Sequence, residues 1–172
     1  MTTGISKKVC LLGDFAVGKT SLVRRFVYNL FSDKYVSTIG VKVSRKTVMV
    51  PGADGVVELR MMLWDLAGSE EFSRVRTSYL RGAAAAVLVC DLTRAETLDS
   101  LRVYADDLLR VNPQARLILA ANKCDLTAPQ HLTEEGIRSV GAEFDAPHHL
   151  TSAKTGDEVD ALFRHLGRLL VA

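Results

Sequence analysis

The chain has few of the features that mark secreted, membrane-spanning or nucleic-acid-binding proteins. Its 172 residues include three cysteines, whose spacing fits neither a metal site nor a disulfide framework. We therefore expect reduced thiols and a cytoplasmic protein. No apolar run approaches the length of a membrane span. A net charge of +2 is too small a basic excess to indicate nucleic acid or an acidic membrane as a partner. We interpret a mild basic cluster as solvated surface; its members are Arg24, Arg25, Lys34, Lys42, Arg45 and Lys46.

Signals for targeting and lipid attachment are also missing from the sequence as written. Met1-Thr2-Thr3 has neither the apolar region of a signal peptide nor a glycine for myristoylation. No cysteine follows Cys124, so C-terminal prenylation is excluded unless a tail has been removed. We expect no lipid anchor, a single domain over residues 1–172, and a monomer.

A phosphate-binding loop is the first motif present. Residues 13–20 read GDFAVGKT, a full G-x-x-x-x-G-K-T, between an apolar run (Val9 to Leu12) and a helical pattern. The glycines let successive N–H groups point at phosphate oxygens, and the helix N-terminus adds the positive end of its dipole. Lys19 would reach the β- and γ-phosphates, and the Thr20 hydroxyl would bind Mg²⁺. An ordinary glycine turn before a helix is the alternative.

The stretch Asn122-Lys123-Cys124-Asp125 indicates which base the ligand carries. Guanine presents an N1–H and a 2-amino group side by side, and the Asp125 carboxylate can accept hydrogen bonds from both. Adenine offers a lone pair at N1 and no 2-amino group, so the same carboxylate would lose its partners. A site built on hydrogen bonds rejects such an analogue by a factor on the order of 10⁴ or more.

Strand-like and helical patterns alternate along the chain, which predicts an α/β fold with a mostly parallel sheet. Pro51 to Gly55 requires a tight reversal, so the strands on either side should form an antiparallel hairpin at the sheet edge. The predicted strands are Lys7–Leu12, Val41–Val50, Val56–Trp64, Ala84–Cys90, Arg116–Ala121 and His148–Thr151. The predicted helices are Gly18–Asn29, Glu71–Leu80, Ala95–Arg110, Thr133–Gly141 and Gly156–Val171.

Three motifs directly follow predicted strands: the phosphate loop, the residues from Asn122 to Asp125, and Ser152-Ala153-Lys154. In doubly wound sheets, ligands bind beyond the carboxyl ends of the strands. We therefore expect one site at one edge of one six-stranded sheet, with about five helices covering its two faces.

With these motifs in place, the chain resembles the Ras superfamily of small GTPases, and most closely the Rab family. The resemblance runs from about Lys7 to the last helix, and the excess of arginine over lysine favours a prokaryotic member. The further motifs that carry it are Ser37-Thr38-Ile39-Gly40-Val41, Trp64-Asp65-Leu66-Ala67-Gly68, Tyr79-Leu80-Arg81-Gly82-Ala83 and Asp91-Leu92-Thr93.

The resemblance implies a P-loop small G domain that binds GTP or GDP with Mg²⁺. Thr38 would contact the metal and the γ-phosphate in the triphosphate state only, Asp65 would hold the metal through water, and the Gly68 N–H would touch the γ-phosphate. Tyr35 would close over the phosphates, and Phe31 would cover the guanine unless it is a core residue. The nucleotide-binding residues implied are Gly13, Phe15, Ala16, Val17, Gly18, Lys19, Thr20, Ser21, Phe31, Tyr35, Thr38, Gly68, Asn122, Lys123, Asp125, Ser152, Ala153 and Lys154. The catalytic set is Lys19, Thr38, Gly68 and Ser69.

In this family the segments around Thr38 and Gly68 are ordered by the third phosphate and released when it leaves. Effector and regulator proteins would recognise the ordered segments by binding to apolar residues on and beside them. The alternative is that these residues only cover the sheet. They are Ile39, Val41, Val43, Trp64, Phe72, Val75 and Tyr79. Val43 stands where Rab proteins usually have phenylalanine, so their effector sets do not transfer to this chain.

Three departures from the family pattern bear on hydrolysis. Ser69 stands where most relatives have the glutamine that orients the attacking water, and its side chain is too short to reach that water. Phe15 replaces Gly or Ser and would crowd the entry of a partner's arginine finger, whereas Leu66 in place of threonine should affect packing. We expect a switch that hydrolyses GTP slowly. The alternatives are a GTP-binding interaction module without turnover and a phosphotransferase, for which the chain shows no lid or second substrate site.

Overall fold

A computed structural model describes residues 3–68, 70–126 and 132–172; of residues 70–74 it describes the backbone alone. The strands are β1 (Thr3–Leu12), β2 (Val41–Gly52), β3 (Gly55–Leu66), β4 (Ala83–Asp91), β5 (Arg116–Asn122) and β6 (His148–Leu150). The helices are α1 (Lys19–Tyr28), α2 (Glu70–Tyr79), α3 (Glu96–Asp99), α4 (Leu101–Val111), α5 (Glu134–Glu143) and α6 (Val159–Val171).

Six strands of the described residues form one sheet in the order β2-β3-β1-β4-β5-β6. Every neighbouring pair is parallel except β2 and β3, which form an antiparallel hairpin closed by Ala53 and Asp54. The predicted α/β class, the six strands and the single antiparallel edge strand are therefore confirmed.

The sheet is covered on both faces, and each face has its own apolar core. On one face α1 and α6 pack against β1, β3 and β4, where Phe26 and Phe163 stack with ring centroids 4.1 Å apart. On the other face α4 and α5 cover β4 and β5 through residues such as Leu101, Leu108 and Ile137. A sheet buried on both faces requires the nearly continuous apolar strands that β4 and β5 show.

Several element boundaries differ from the sequence prediction, and two of the differences have a clear structural reason. β1 begins at Thr3 rather than Lys7, because β3 extends far enough to pair Thr3 with Val57. The predicted helix over 95–110 forms as α3 and α4, which meet at Ser100. There the Ser100 side chain donates to the Glu96 carbonyl at 3.0 Å, a local bond that competes with regular helix geometry.

Thr133 caps α5 as the sequence predicted, since its side chain accepts from the Gly136 N–H. Within the described ranges, no helix combines the length and the apolar character needed to cross a membrane.

Candidate nucleotide-binding site

A cleft of about 690 Å³ opens at the carboxyl edge of the sheet, bounded by the phosphate loop, the loop of residues 29–40 and the segments after β3, β5 and β6. We call residues 29–40 the α1–β2 loop. The predicted residues that line the cleft are Phe15, Ala16, Gly18, Lys19, Thr20, Ser21, Phe31, Tyr35, Thr38, Gly68, Asn122, Lys123, Asp125, Ala153 and Lys154.

Five predicted residues are not among those that line the cleft. Gly13, Val17, Asp65 and Ser152 lie behind its wall, where each bonds to a residue that does line it. Ser69, at the position of the water-orienting glutamine of relatives, lies outside the described residues.

Lys19 is held inside the phosphate loop. Its Nζ donates to the carbonyl oxygens of Gly13 at 2.8 Å and Asp14 at 2.9 Å, which leaves one ammonium N–H for another acceptor. Burial lowers the pKa of Lys19 to about 8, and the nearby Asp65 and Asp14 carboxylates oppose that shift. A polyanion beside this ammonium would relieve the cost of burying the charge.

Gly18 allows the phosphate loop and the base motif to touch. A Cβ at Gly18 would lie 2.2 Å from Asn122 Nδ2, and the backbone φ of +105° also disfavours any side chain. Asn122 uses this approach to donate to the Val17 carbonyl at 3.0 Å. The two motifs, 105 residues apart, therefore form one rigid wall.

Three oxygen-bearing side chains converge at the predicted metal position. Thr20 Oγ1 lies 2.6 Å from Thr38 Oγ1 and donates to Asp65 Oδ2. Asp65 Oδ1 is buried without a hydrogen-bond partner, and burial raises the pKa of this carboxyl. Mg²⁺ prefers hard oxygen ligands of this kind. The unpaired buried oxygen fits a cation, so these residues are compatible with the predicted metal.

The base-binding segment is organised around two side chains. Asn122 Oδ1 accepts from Thr151 Oγ1 at 3.1 Å and from the Ala153 N–H at 3.3 Å. Ser152 Oγ donates to Asp125 Oδ1 at 2.7 Å, which orients the carboxylate while it lines the cleft. The amide and the carboxylate are thus positioned by protein bonds alone.

Two residues that support this segment were missed or misread in the sequence. Asp91, at the end of β4, pairs with Lys123 Nζ at 2.8 Å, and Lys123 Nζ also donates to the Ala16 carbonyl. Arg25 was interpreted as part of a solvated basic surface. That interpretation is wrong, because its guanidinium donates to the Ala153 carbonyl at 2.8 Å and the Lys154 carbonyl at 2.6 Å.

Burial by itself would raise the pKa of Asp91. The Lys123 ammonium and two hydrogen bonds from Thr93 outweigh that effect and hold the pKa of Asp91 below its ordinary value. Asp91 therefore remains ionised at neutral pH and keeps Lys123 directed along the phosphate loop.

The two predicted switch segments lie close to the phosphate loop. A Cβ at Gly68 would lie 2.6 Å from the Phe15 nitrogen, so glycine is required for the backbones to pack this closely. Across the cleft mouth, the Phe15 and Tyr35 rings meet edge to face with centroids 5.6 Å apart. Phe31 lines the cleft and also packs against the core under α1 and α6.

The backbone segment after Gly68 leads into α2, which is tied to α4. Arg76 NH2 pairs with Asp107 Oδ2 at 2.7 Å, and its guanidinium lies 4.5 Å from the centroid of the Tyr104 ring. The Tyr104 hydroxyl donates to Asp14 Oδ1 at 3.0 Å. A chain of contacts thus joins α2 to the phosphate loop, and no sequence motif indicated it.

The surface expected to contact partners is largely open. Ile39 is 92% exposed, Val43 and Val75 are about half exposed, and Trp64 lies directly opposite Val43 in the hairpin. The side chain of Phe72 lies outside the described residues. Leu66 is buried in the core under α4, which agrees with a packing role for this substitution.

The cysteines are free thiols in the described structure. Burial raises the pKa of Cys10 and of Cys90 to about 12. Burial, and then Asp157 and Asp125, also raise the pKa of Cys124. A thiol becomes reactive as its pKa falls, so the half-buried Cys124 is a small neighbour of Asp125 rather than a reactive site.

This fold and cleft define a P-loop protein of the α/β class. The sequence model of the Ras family matches residues 8–172. Ras-related protein Rab-22A of Mus musculus is 37% identical over 163 residues, covering 94% of this chain and 81% of that protein. Rab-1C of Dictyostelium discoideum is 32% identical over 91% of this chain and 76% of its own, and Rab-13 of Canis lupus familiaris is 34% identical over 94% and 78%. The chain belongs to the Ras family and is a Rab-like small GTPase.

Proposed function

We propose that this Rab-like GTPase binds GTP and GDP with Mg²⁺ in the 690 Å³ cleft, hydrolyses GTP slowly, and acts as a molecular switch. One observation carries the proposal: the phosphate loop and the base segment form a single wall through the Gly18–Asn122 contact. That wall can grip a polyphosphate at one end and a purine at the other.

In this proposal the phosphate loop binds the polyphosphate through its N–H groups and through Lys19, whose ammonium is already fixed by two carbonyls. Asp125 accepts from the N1–H and 2-amino group of guanine. The Ala153 N–H, which bonds to Asn122 at 3.3 Å, lies beside the base. Nucleotide selection then follows from side chains that are oriented before the ligand arrives.

Thr20, Thr38 and Asp65 would hold Mg²⁺, whose positive charge would stabilise the negative charge that develops during phosphoryl transfer. Thr38 reaches this position from the α1–β2 loop. Its hydroxyl bond to Thr20 therefore couples the conformation of that loop to the contents of the cleft.

The proposal of slow hydrolysis rests on the side chains of Ser69 and Phe15. Ras alone turns over at on the order of 10⁻⁴ s⁻¹ and is accelerated about 10⁵-fold by an activating partner. Ser69 lacks the reach of glutamine, and Phe15 is half exposed at the cleft mouth where an arginine finger would have to enter. Lys19 remains, so we propose residual turnover with little response to such a partner.

The exposed position of Phe15 also favours a second candidate function, a GTP-binding interaction module without turnover. In both candidate functions, effector and regulator proteins contact the surface around Ile39, Val43 and Trp64. A switch would lose the order of this surface when phosphate is released, whereas an interaction module without turnover would not.

Calorimetry on nucleotide-free protein tests the binding proposal. GDP and GTP with Mg²⁺ should bind, and ATP should bind at least about 10⁴-fold more weakly. Equal affinity for ATP would contradict the assignment of Asp125.

Single-turnover phosphate release from preloaded GTP tests the catalytic proposal. Wild type should release phosphate more slowly than a glutamine-bearing relative, and Ser69→Gln should raise the rate. Ser69→Ala is the matched control, since it removes the hydroxyl without adding reach. No release at all would favour the interaction module, whereas an unchanged rate in Ser69→Gln would mean that another group places the water.

A further inference from the structure

The α1–β2 loop crosses the cleft with few regular backbone bonds, so its closed position depends on side-chain contacts. From the middle of the loop, an exposed ion pair joins Asp33 to Lys154 at 3.8 Å. Such a pair contributes little, because both ions are hydrated and screened by salt. Two further contacts join the loop to the phosphate-loop side: the hydroxyl bond between Thr38 and Thr20 at the predicted metal position, and the contact between the Tyr35 and Phe15 rings.

The Phe15 side of this contact is rigid. Arg94 NH2 donates to the Phe15 carbonyl at 2.8 Å, and the backbone of Gly68 packs directly against the Phe15 nitrogen. With its backbone held from two sides, Phe15 projects its ring to the mouth of the cleft, where it remains 49% exposed. The Phe15 ring is therefore already in position when the Tyr35 ring packs against it.

The Tyr35 ring meets Phe15 at 76° with a centroid separation of 5.6 Å, which is the favoured edge-to-face geometry of aromatic pairs. Both residues line the cleft, one from the phosphate loop and one from the loop that faces it. The pair thus bridges the two sides of the cleft mouth. The contact is made by the two side chains themselves.

We propose that Phe15 and Tyr35 form an aromatic latch that holds the α1–β2 loop closed over the cleft whichever nucleotide is bound. In the family, this loop is ordered by the third phosphate. Here the latch supplies part of that order by itself, so it slows nucleotide release in the GDP state as well. The inference rests on the proposed function only in placing a nucleotide beneath the latch.

A double-mutant cycle tests the latch through dissociation of a fluorescent GDP analogue. Phe15→Leu and Tyr35→Leu should each speed dissociation about 2- to 12-fold, the range that corresponds to one aromatic pair. The double variant should be no faster than the faster single variant, because both changes remove the same contact. Tyr35→Phe keeps the ring, so it should speed dissociation less than Tyr35→Leu does. Tyr28→Leu, at an exposed aromatic residue outside the cleft, is the matched control.

Multiplication of the two single effects in the double variant would overturn the latch, as would the absence of any acceleration. A second measurement needs no nucleotide. Trypsin should cut after Lys34 faster in nucleotide-free Phe15→Leu than in nucleotide-free wild type, with the cut site identified by mass spectrometry. Equal cleavage rates would overturn the latch even if GDP failed to bind, and failure of GDP binding alone would count against the proposed function.

Discussion

Asp125 is the side chain that selects the base in the proposed function. Ser152 donates to one of its oxygens at 2.7 Å, so the carboxylate is oriented before any ligand arrives. Because the carboxylate is already oriented, little binding free energy is lost in ordering it when a ligand binds. Its charge also strengthens each hydrogen bond that it accepts from a base edge.

Replacing this charge should weaken binding sharply. Asp125→Asn exchanges one acceptor oxygen for an amide donor that faces the donors of guanine. We expect GDP affinity to fall at least about 100-fold, since two charge-assisted bonds are lost or opposed. Ser152→Ala keeps the carboxylate and loses only its orientation, so its loss of affinity should be far smaller. Calorimetry on both variants decides the matter, and wild-type affinity in Asp125→Asn would contradict the role of Asp125.

At this scale the sequence predicted the residues whose chemistry is local to a motif. Lys19, Asn122 and Asp125 were predicted because their types and spacing already define a task. Arg25 was misread because its carbonyl partners lie 128 and 129 residues away. Only the packing of α1 beside the segment after β6 reveals that contact.

At the scale of elements, the ends of neighbouring strands bring the supporting groups together. Asp91 ends β4 and lies in register with Asn122, which ends β5. Lys123 follows immediately and turns back to pair with Asp91 at 2.8 Å. One ion pair therefore fixes the junction between the strand ends and the phosphate loop.

This ion pair should make stability depend on acid pH. The pKa of Asp91 is below its usual value in the folded state, so its contribution is full above about pH 4 and is lost as pH falls further. Asp91→Asn should lower the free energy of unfolding by about 1 to 2 kcal/mol at pH 7. The difference from wild type should shrink below pH 4. Urea titrations at pH 7, 5 and 3.5 measure it.

Asp160→Asn provides the control for that experiment. Asp160 pairs with Arg164 at 2.7 Å on an exposed helix face, so its loss should change stability by less than about 0.5 kcal/mol. A difference for Asp91→Asn that stays constant from pH 7 to 3.5 would show that packing, rather than charge, makes Asp91 important.

Element prediction succeeded where local signals were strong and failed where pairing decided the outcome. A few neighbouring residues determine the Pro51–Gly55 turn and the Thr133 cap, and both formed as predicted. The early start of β1 depends on β3, which provides a partner for residues from Thr3 onward. The contact between Phe15 and Tyr35 likewise needs the whole topology, because 20 positions separate the two rings.

At the scale of the molecule, the cleft joins parts of the chain that both cores hold. The phosphate loop precedes α1 on one face of the sheet. From the other face, Tyr104 on α4 donates to Asp14, and Arg76 on α2 packs against the Tyr104 ring. The cleft is lined by segments from residue 15 to residue 154. Unfolding of any of these segments would remove part of the site, so ligand binding should stabilise the fold as a unit.

Thermal unfolding measures this linkage. At 100 times its dissociation constant, a ligand specific for the native state adds about 2.7 kcal/mol. For a chain of this size, that raises Tm by about 5 to 11 °C. GDP with Mg²⁺ should produce this rise, while ATP at the same concentration should not, since adenine leaves Asp125 unpaired. Asp125→Asn should lose the GDP effect but keep its own Tm, because Asp125 lies at the cleft wall and outside both cores. An equal rise with ATP would mean that stabilisation comes from the polyphosphate alone, and that the base segment does not select guanine.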